Sequence, residues 1–451
     1  TLTVHSGKHV AFEYEAQLGG GVPRLVTEPD EAITYQHDPH TGVLLRTDNE
    51  HGTRSYTYAY SGLLSKETWA AKDGGVHASE HTGSRLGRQI TRRDTGSGAS
   101  TYAQTTRCEY DAAGRLKETV QGVLRATCTY DSFGREHTST TTNTLSGQTL
   151  STTLAYDLYG RETLRTLTVD GEVFTVSQTW RGDSQLNSRH LQHGSRSLLK
   201  EDFFYDRRGR LQRHECSGEQ LPQDRFGNEI VRQVFTYDAL DNIVKCTSKF
   251  ADDSNHVADY VYADADPCQL KQINHKHASY PETESFSYDE DGNMTNDHDG
   301  RTLRYDSLGR LLAMISASGE QRSYTYDGHR ELTGILDTHT GQTLCFFQGN
   351  QLHHTVNGTH TEYVLYANTK ALAHADAETD GNGNGQTRLL LCTAIGSVIG
   401  EARQEAITTT SYSAYGEAGA GLASLLGFNG ELHEAGGWYL LGRAYRAYST
   451  V

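Results

Sequence analysis

Tyr110-Asp111-Ala112-Ala113-Gly114-Arg115 is followed by Tyr130-Asp131-Ser132-Phe133-Gly134-Arg135, the same six-residue word. Tyr156-Asp157-Leu158-Tyr159-Gly160-Arg161, Tyr205-Asp206-Arg207-Arg208-Gly209-Arg210 and Tyr305-Asp306-Ser307-Leu308-Gly309-Arg310 repeat it. A word recurring at such spacing marks an array in which each copy is one supersecondary unit, unable to bury its apolar face alone. The unit reads as a β-hairpin. Thr106-Arg107-Cys108-Glu109-Tyr110 alternates with the period of a strand. Asp111 starts a turn, its carboxylate accepting from a backbone N–H two residues on. Gly114 supplies a left-handed conformation, as in a type I turn closed by a bulge. Arg115 and Leu116 open the return strand.

Weaker copies extend the array. Tyr237-Asp238-Ala239-Leu240-Asp241-Asn242, Tyr288-Asp289-Glu290-Asp291-Gly292-Asn293, Tyr326-Asp327-Gly328-His329-Arg330-Glu331 and Asp224-Arg225-Phe226-Gly227-Asn228 keep most of the turn. Tyr56, Tyr58 and Tyr60 before Ser61-Gly62-Leu63, and Asp38-Pro39-His40-Thr41-Gly42, are more degenerate. The Tyr-Asp pairs at 110, 130, 156, 205, 237, 288, 305 and 326 are separated by 20, 26, 49, 32, 51, 17 and 21 residues. About 20 residues make two strands and their turns. The gaps near 50 leave room for further copies. One hairpin is marginal in water, so the units are expected to stack edge to edge into one long antiparallel sheet. A long sheet twists, and one that keeps twisting curls. The expected fold is therefore all-β.

Composition fits that reading. Hydrophobic residues make up 35% of the 451, Gly 46 residues, and Tyr (26) outnumbers Phe (12). Such a mixture suits pleated, half-wetted surfaces joined by Gly turns. A net charge of −16 argues against a bare nucleic-acid surface, which needs a basic footprint. The cysteines (Cys108, Cys128, Cys216, Cys246, Cys268, Cys345, Cys392) form no CxxC pair, so zinc ribbon and thioredoxin motifs are excluded, and mostly buried thiols are expected. No apolar run reaches the ~18 residues of a transmembrane helix, and no signal peptide is read near Thr1. The best helical stretch, 418–426, is rich in Ala and Leu but weakened by Gly419 and Gly421. Three blocks are expected: repeats over 1–375, an acidic Gly/Asn loop over 376–388, and a distinct ending over 389–451.

Catalytic signals are thin. Asp289, Glu290 and Asp291 are acids that a turn explains. The loop 376–385 lacks EF-hand spacing. His275 and His277, and the pair His190 and His193, have no Cys or carboxylate at zinc-ligand spacing, so they are expected at the surface. Arg181-Gly182-Asp183 reads as a chance tripeptide in a turn, and Ser397 and Ser411 lack a nucleophile elbow. Arg115, Arg135, Arg161, Arg210 and Arg310 are expected to partner the repeat aspartates. No catalytic residue, cofactor or metal is expected.

Arrays of this word resemble the RHS (rearrangement hotspot) and YD-repeat family. The ending sharpens the likeness. Leu389-Leu390-Leu391-Cys392-Thr393-Ala394-Ile395-Gly396-Ser397-Val398-Ile399-Gly400 resembles a degenerate repeat of the family, and Ser413-Ala414-Tyr415-Gly416 one of its turns. Gly427-Phe428-Asn429-Gly430-Glu431, with Trp438-Tyr439-Leu440-Leu441-Gly442-Arg443-Ala444-Tyr445-Arg446-Ala447-Tyr448, resembles the opening of the RHS-associated core. The resemblance implies a sheet spiralling into a cocoon around a C-terminal toxin, as in bacterial polymorphic toxins, type VI secretion effectors and insecticidal Tc toxins; teneurins carry a related barrel. It implies a toxin fragment and flanking shell segments as partners, with a secretion-system component or chaperone, and no nucleic acid. It also implies synthesis in the bacterial cytoplasm and delivery to a target cell. The family's Asp-Pro autoprotease motifs are absent: Asp38-Pro39 and Asp266-Pro267 sit in repeat turns. A stretch of shell wall is expected, truncated before the protease. The competing expectation is an adhesive module that binds a receptor or glycan through its outer face or long loops.

Overall fold

Strand follows strand along the chain, and within each sheet each pairs antiparallel with the one before it. The computed structural model describes residues 2–450 apart from 4–7, 19–20, 73, 99–100, 377–385, 405, 420–421, 435 and 444–445. From Leu2–Thr3 and His9–Tyr14 to Thr283–Ser285 the strands form a sheet of 24. A second sheet of 13 runs from Ser287–Tyr288 to Ala406–Thr409, and Leu432–Glu434, Trp438–Leu441 and Arg446–Ser449 make a third. Alternation dictates which side faces inward. In Glu136–Asn143, Ser139, Thr141 and Asn143 are buried while the residues between them are half-exposed.

The second sheet lies against the first and follows it in the same chain order. Glu28 and Glu31 meet Arg310, Arg54 meets Asp327, Arg92 meets Gln348, Tyr130 meets Asn368 and Gln220 meets Thr409. Between the two passes, Leu124, Leu150, Leu167 and Phe174 pack in one apolar cluster with Leu365, Leu389, Leu391 and Ala402. Each fully buried leucine of this kind contributes about 1.5–3 kcal/mol. The second sheet is thus a second pass of strands that rests on the first.

Two sequence expectations need correction. Residues 418–426 form no helix where described: Ala418 bridges Tyr412 and Leu426 bridges Leu432. Leu422, Leu425 and Leu426 instead press into the apolar cluster of the second sheet, so packing overrides local propensity. His275 is buried, not superficial. Most of the acidic loop, 377–385, lies outside the described residues; its flanking strands Lys370–Asp376 and Thr387–Cys392 pair directly. The ladder is interrupted between Ser285 and Ser287, at the buried Phe286.

Candidate functional site

The repeated turn recurs along the chain with one geometry. In each copy the Asp N–H donates to the Arg carbonyl and the Gly N–H returns to the Asp carbonyl, at 2.9 and 2.8 Å for Asp111, Arg115 and Gly114. Asp131 Oδ1 accepts from the N–H groups of Phe133 and Arg135, both at 2.9 Å, and Oδ2 from Arg135 Nε at 2.7 Å. Asp111 with Arg115, Asp157 with Arg161 and Asp206 with Arg210 repeat the arrangement. Hydrogen bonds from the Arg115 backbone and then its guanidinium hold the Asp111 carboxyl below its usual range. Gly114, Gly134, Gly160, Gly209 and Gly309 stand at φ between 79° and 82°. Ser184, Asp241 and Arg330 occupy the same left-handed position at 66°, 72° and 65°, where a Cβ is strained.

The tyrosine belongs to the neighbouring copy as much as to its own. Tyr130 Oη donates to the Leu116 carbonyl at 2.7 Å, Tyr156 to Glu136 at 2.7 Å, Tyr237 to Leu211 at 2.6 Å and Tyr326 to Leu311 at 2.8 Å. The acceptor is always the first residue of the preceding return strand. The preceding arginine covers the same ring: Arg115 lies 4.4 Å from the Tyr130 ring centre, Arg135 4.5 Å from Tyr156, Arg210 4.6 Å from Tyr237 and Arg310 5.1 Å from Tyr326. Tyr110 and Tyr205 reach Gln89 and Leu186 in the same way, while the Tyr305 ring packs beside the apolar cluster of the second sheet. Trp180 replaces tyrosine, donating through Nε1 to Glu162 under Arg161. Trp180 and Tyr262, which donates to Ile243, are the copies that fill the two long gaps. Arg181-Gly182-Asp183 is thus a repeat turn with Ser184 in the glycine place.

Charged side chains hold the seam between passes. Arg54, buried, contacts Asp327 at 2.7 Å, Glu331 at 3.0 Å and Glu67 at 2.5 Å. Arg310 serves both its own Asp306 and, across the seam, Glu31 at 3.1 Å. Arg330 reaches Glu28 at 3.0 Å. Ser307 N–H donates to Asp30 at 2.7 Å.

Titratable groups from separate strands come together at several places that sequence spacing conceals. Asp94, His353 and His354 come together from the two passes, with Arg92 and Tyr102 beside them. Burial, then the Arg92 cation, pulls His353 down to about 3, so its ring is neutral at ordinary pH. His275 meets His256 at 3.0 Å and Glu284 at 3.2 Å, a carboxylate nine residues further along the chain. A cavity of about 440 Å³ is lined by Arg225, His298, Asp299, Glu417, His433 and Tyr439. There burial, then the charge of Asp224, pushes Glu417 up to about 7.

The remaining sequence candidates take local partners. His190 bonds Ser197 at 2.8 Å, and His193 bonds Glu172 at 2.5 Å, so the pair shares no ligand. Asp289 caps its own turn through Asn293, and Asp291 pairs with Lys8 at 3.2 Å. Ser397 accepts from the Asn429 N–H and Ser411 donates to the Gln220 carbonyl. Both Asp-Pro pairs lie in turns, Asp38 accepting from the Thr41 N–H and Asp266 from that of Cys268. Five cysteines are buried and Cys268 is exposed; all are free thiols. Among the described residues no helix is long and apolar enough to cross a membrane.

The fold has solved relatives. A crystal structure of TcdB2-TccC3-TEV superposes with a TM-score of 0.68 at 16% identity, covering 98% of this chain and 26% of that one. TcdB2-TccC3 without its hypervariable C-terminal region gives the same values. A Tc holotoxin pore from Photorhabdus luminescens gives 0.61 at 15% identity, over 95% of this chain and 26% of that one. At such identity the likeness is one of fold, and the chain spans about a quarter of those chains. No curated protein matches it. The family model described as Teneurin YD-shell matches residues 136–366. That span holds the repeat turns at Asp157 and Asp206, the Trp180 and Tyr262 copies and most of the second pass, and it is just over half of the chain: the protein belongs to the Teneurin YD-shell family.

Proposed function

We propose that the chain is a wall segment of a β-shell that encloses a polypeptide cargo, a C-terminal toxin fragment, before delivery to a target cell. The observation that carries this reading is the seam. A sheet whose second pass lies on its first, in the same chain order, builds a wall in successive turns. The repeat turns bear no chemistry beyond self-assembly, because their Asp, Arg and Tyr groups are spent on the turn and the next copy. The mechanism is physical exclusion, the wall keeping a harmful chain from the cytoplasm that makes it. Type VI or Tc-type delivery, and synthesis in a bacterial cytoplasm, follow from the same reading.

Flanking shell segments are the first partners. Tyr60, Leu86, Phe133, Leu158, Tyr159 and Leu240 project into solvent from turns at one end of the hairpins. Exposed apolar turns along one rim suit contact with further shell. They also favour the second reading, an adhesive rim for a receptor or glycan.

The test is limited proteolysis of the full reading frame containing this chain. The cargo segment should survive while the shell is folded and be cut once the shell is opened by Arg54→Met. A cargo cut at the same rate in both proteins overturns enclosure. Glycan or receptor binding lost in a Phe133→Ser/Tyr159→Ser variant, with protection absent, would favour the adhesive reading.

A further inference from the structure

We propose that Asp94, His353 and His354 form a binding site for a divalent transition metal of the zinc type, which pins the second pass of the sheet to the first. The site does not depend on the enclosure of cargo.

The first observation is backbone geometry. Consecutive residues of a strand point to opposite faces. In the hairpin of Gly341–Gln348 with Gln351–Asn357, however, Phe347 pairs with Leu352 and Phe346 with His354. His353 is therefore the extra residue of a bulge, a device that re-aims side chains. Its effect is to bring His353 Nδ1 within 3.0 Å of His354 Nδ1. Both residues are buried, as is Asp94.

The second observation is the donor set. Asp94 arrives from Gln89–Ser97 of the first pass and sets Oδ2 3.8 Å from His353 Nδ1. The three ligand atoms all lie within 4.8 Å of one another. A tetrahedral zinc with bonds of about 2.0–2.1 Å spaces its ligands about 3.3 Å apart, between the two separations found here. Two imidazoles and a carboxylate match the ligand preference of zinc, and neither sulfur nor a ring of carboxylates is present to favour copper(I) or calcium.

The third observation is the surrounding support. Tyr102 Oη lies 2.9 Å from His354 Nε2 and 3.1 Å from His77 Nδ1. When Tyr102 donates to His77, His354 carries its proton on Nε2 and turns a bare Nδ1 toward His353. That outer contact orients a metal-binding histidine. Arg92 holds both oxygens of Asp94, at 2.9 and 3.1 Å, and Ser79 donates to Oδ1 at 2.5 Å. They fix the carboxylate, and the Arg92 charge lowers the affinity the site would otherwise have.

The experiment is zinc titration of the whole chain after chelator treatment, followed by calorimetry and thermal unfolding, with cobalt(II) as a spectroscopic probe. One equivalent should bind per chain, raise the unfolding temperature and, for cobalt, give visible absorption of a four-coordinate nitrogen–oxygen site. His353→Gln and His354→Gln should each weaken binding at least tenfold. Tyr102→Phe, which touches no metal, should weaken it about tenfold. The exposed His339→Gln should change nothing. Failure of the native chain to bind zinc saturably overturns the proposal whether or not the variants fold. So does full binding in the His353→Gln/His354→Gln double variant.

Discussion

Arg54 Nε lies 2.7 Å from Asp327 Oδ2, a buried ion pair that joins the second sheet to the first. Glu331 and Glu67 complete the shell of the same guanidinium. Arg54→Met leaves Asp327 and Glu67 without their cation, while Glu331 keeps Arg443; removing one partner of a buried pair costs about 3–5 kcal/mol. Urea unfolding should show that loss, and Arg54→Met/Asp327→Leu should recover much of it. A loss below about 1 kcal/mol would mean that apolar packing alone holds the seam.

The aromatic latches should each be modest. Tyr130→Phe and Tyr156→Phe keep the ring under the preceding arginine and delete only the bond to Leu116 or Glu136. Each should lower stability by about 0.5–1.5 kcal/mol. Tyr130→Ala also removes the ring that Arg115 covers and should cost clearly more. Denaturant midpoints decide it; equal losses for Phe and Ala would assign the whole effect to the hydroxyl.

Left-handed positions should respond with opposite signs. Gly134→Ala places a Cβ at φ 82°, a change worth about 1–2 kcal/mol of destabilisation. Asp241→Gly relieves the same strain at φ 72° but loses the Asp241 contacts to Arg208 and Arg210. These are exposed ion pairs of about 0–1 kcal/mol, so the variant should be neutral to slightly stabilising. Thermal unfolding of both variants checks the pair, and a stabilised Gly134→Ala would contradict the turn geometry.

Two acids, Glu201 and Glu417, set opposite pH dependences. Burial would raise Glu201, but Arg189 and the His214 hydrogen bond outweigh it and hold the carboxyl at about 2. Its folded value lies below the unfolded one, so its contribution is present above pH 4.5 and is lost as pH falls toward 2. Glu417 is the reverse. Raised from 4.5 to about 7, it favours folding fully below pH 4.5, and that contribution is lost as pH rises through 7. Glu417→Gln should therefore stabilise the protein at pH 8 and have little effect at pH 4.5. Unfolding midpoints across pH 4–8 test this; a constant difference would remove Glu417 from the account.

The hairpin was legible because its determinants are local. Asp111, Gly114 and Arg115 lie within five residues, and their turn follows from hydrogen-bonding capacity and φ preference. The second partner of Tyr130 was not legible, because Leu116 differs in identity from copy to copy and contributes only a carbonyl. Trp180 escaped as a copy because indole N–H replaces the hydroxyl while Arg181 replaces the aspartate. The seam was invisible for a different reason. Arg54 and Asp327 lie far apart in the chain, and only the stacking of the second sheet on the first brings them together. His353 needed a bulge that no residue pattern announces, and the histidine pair at 275 and 277 looked unliganded because Glu284 arrives on the next strand.

The tyrosine latch has a polarity. Tyr130, Tyr156, Tyr237 and Tyr326 each close onto a carbonyl and an arginine that precede them in the chain, as Tyr156 does on Glu136 and Arg135. The array therefore has a growing end. A chain synthesised from its N-terminus offers every new hairpin a finished dock, whereas a chain entering C-terminus first would present aromatics before their docks exist. The wall is built to be laid course upon course in the order of translation.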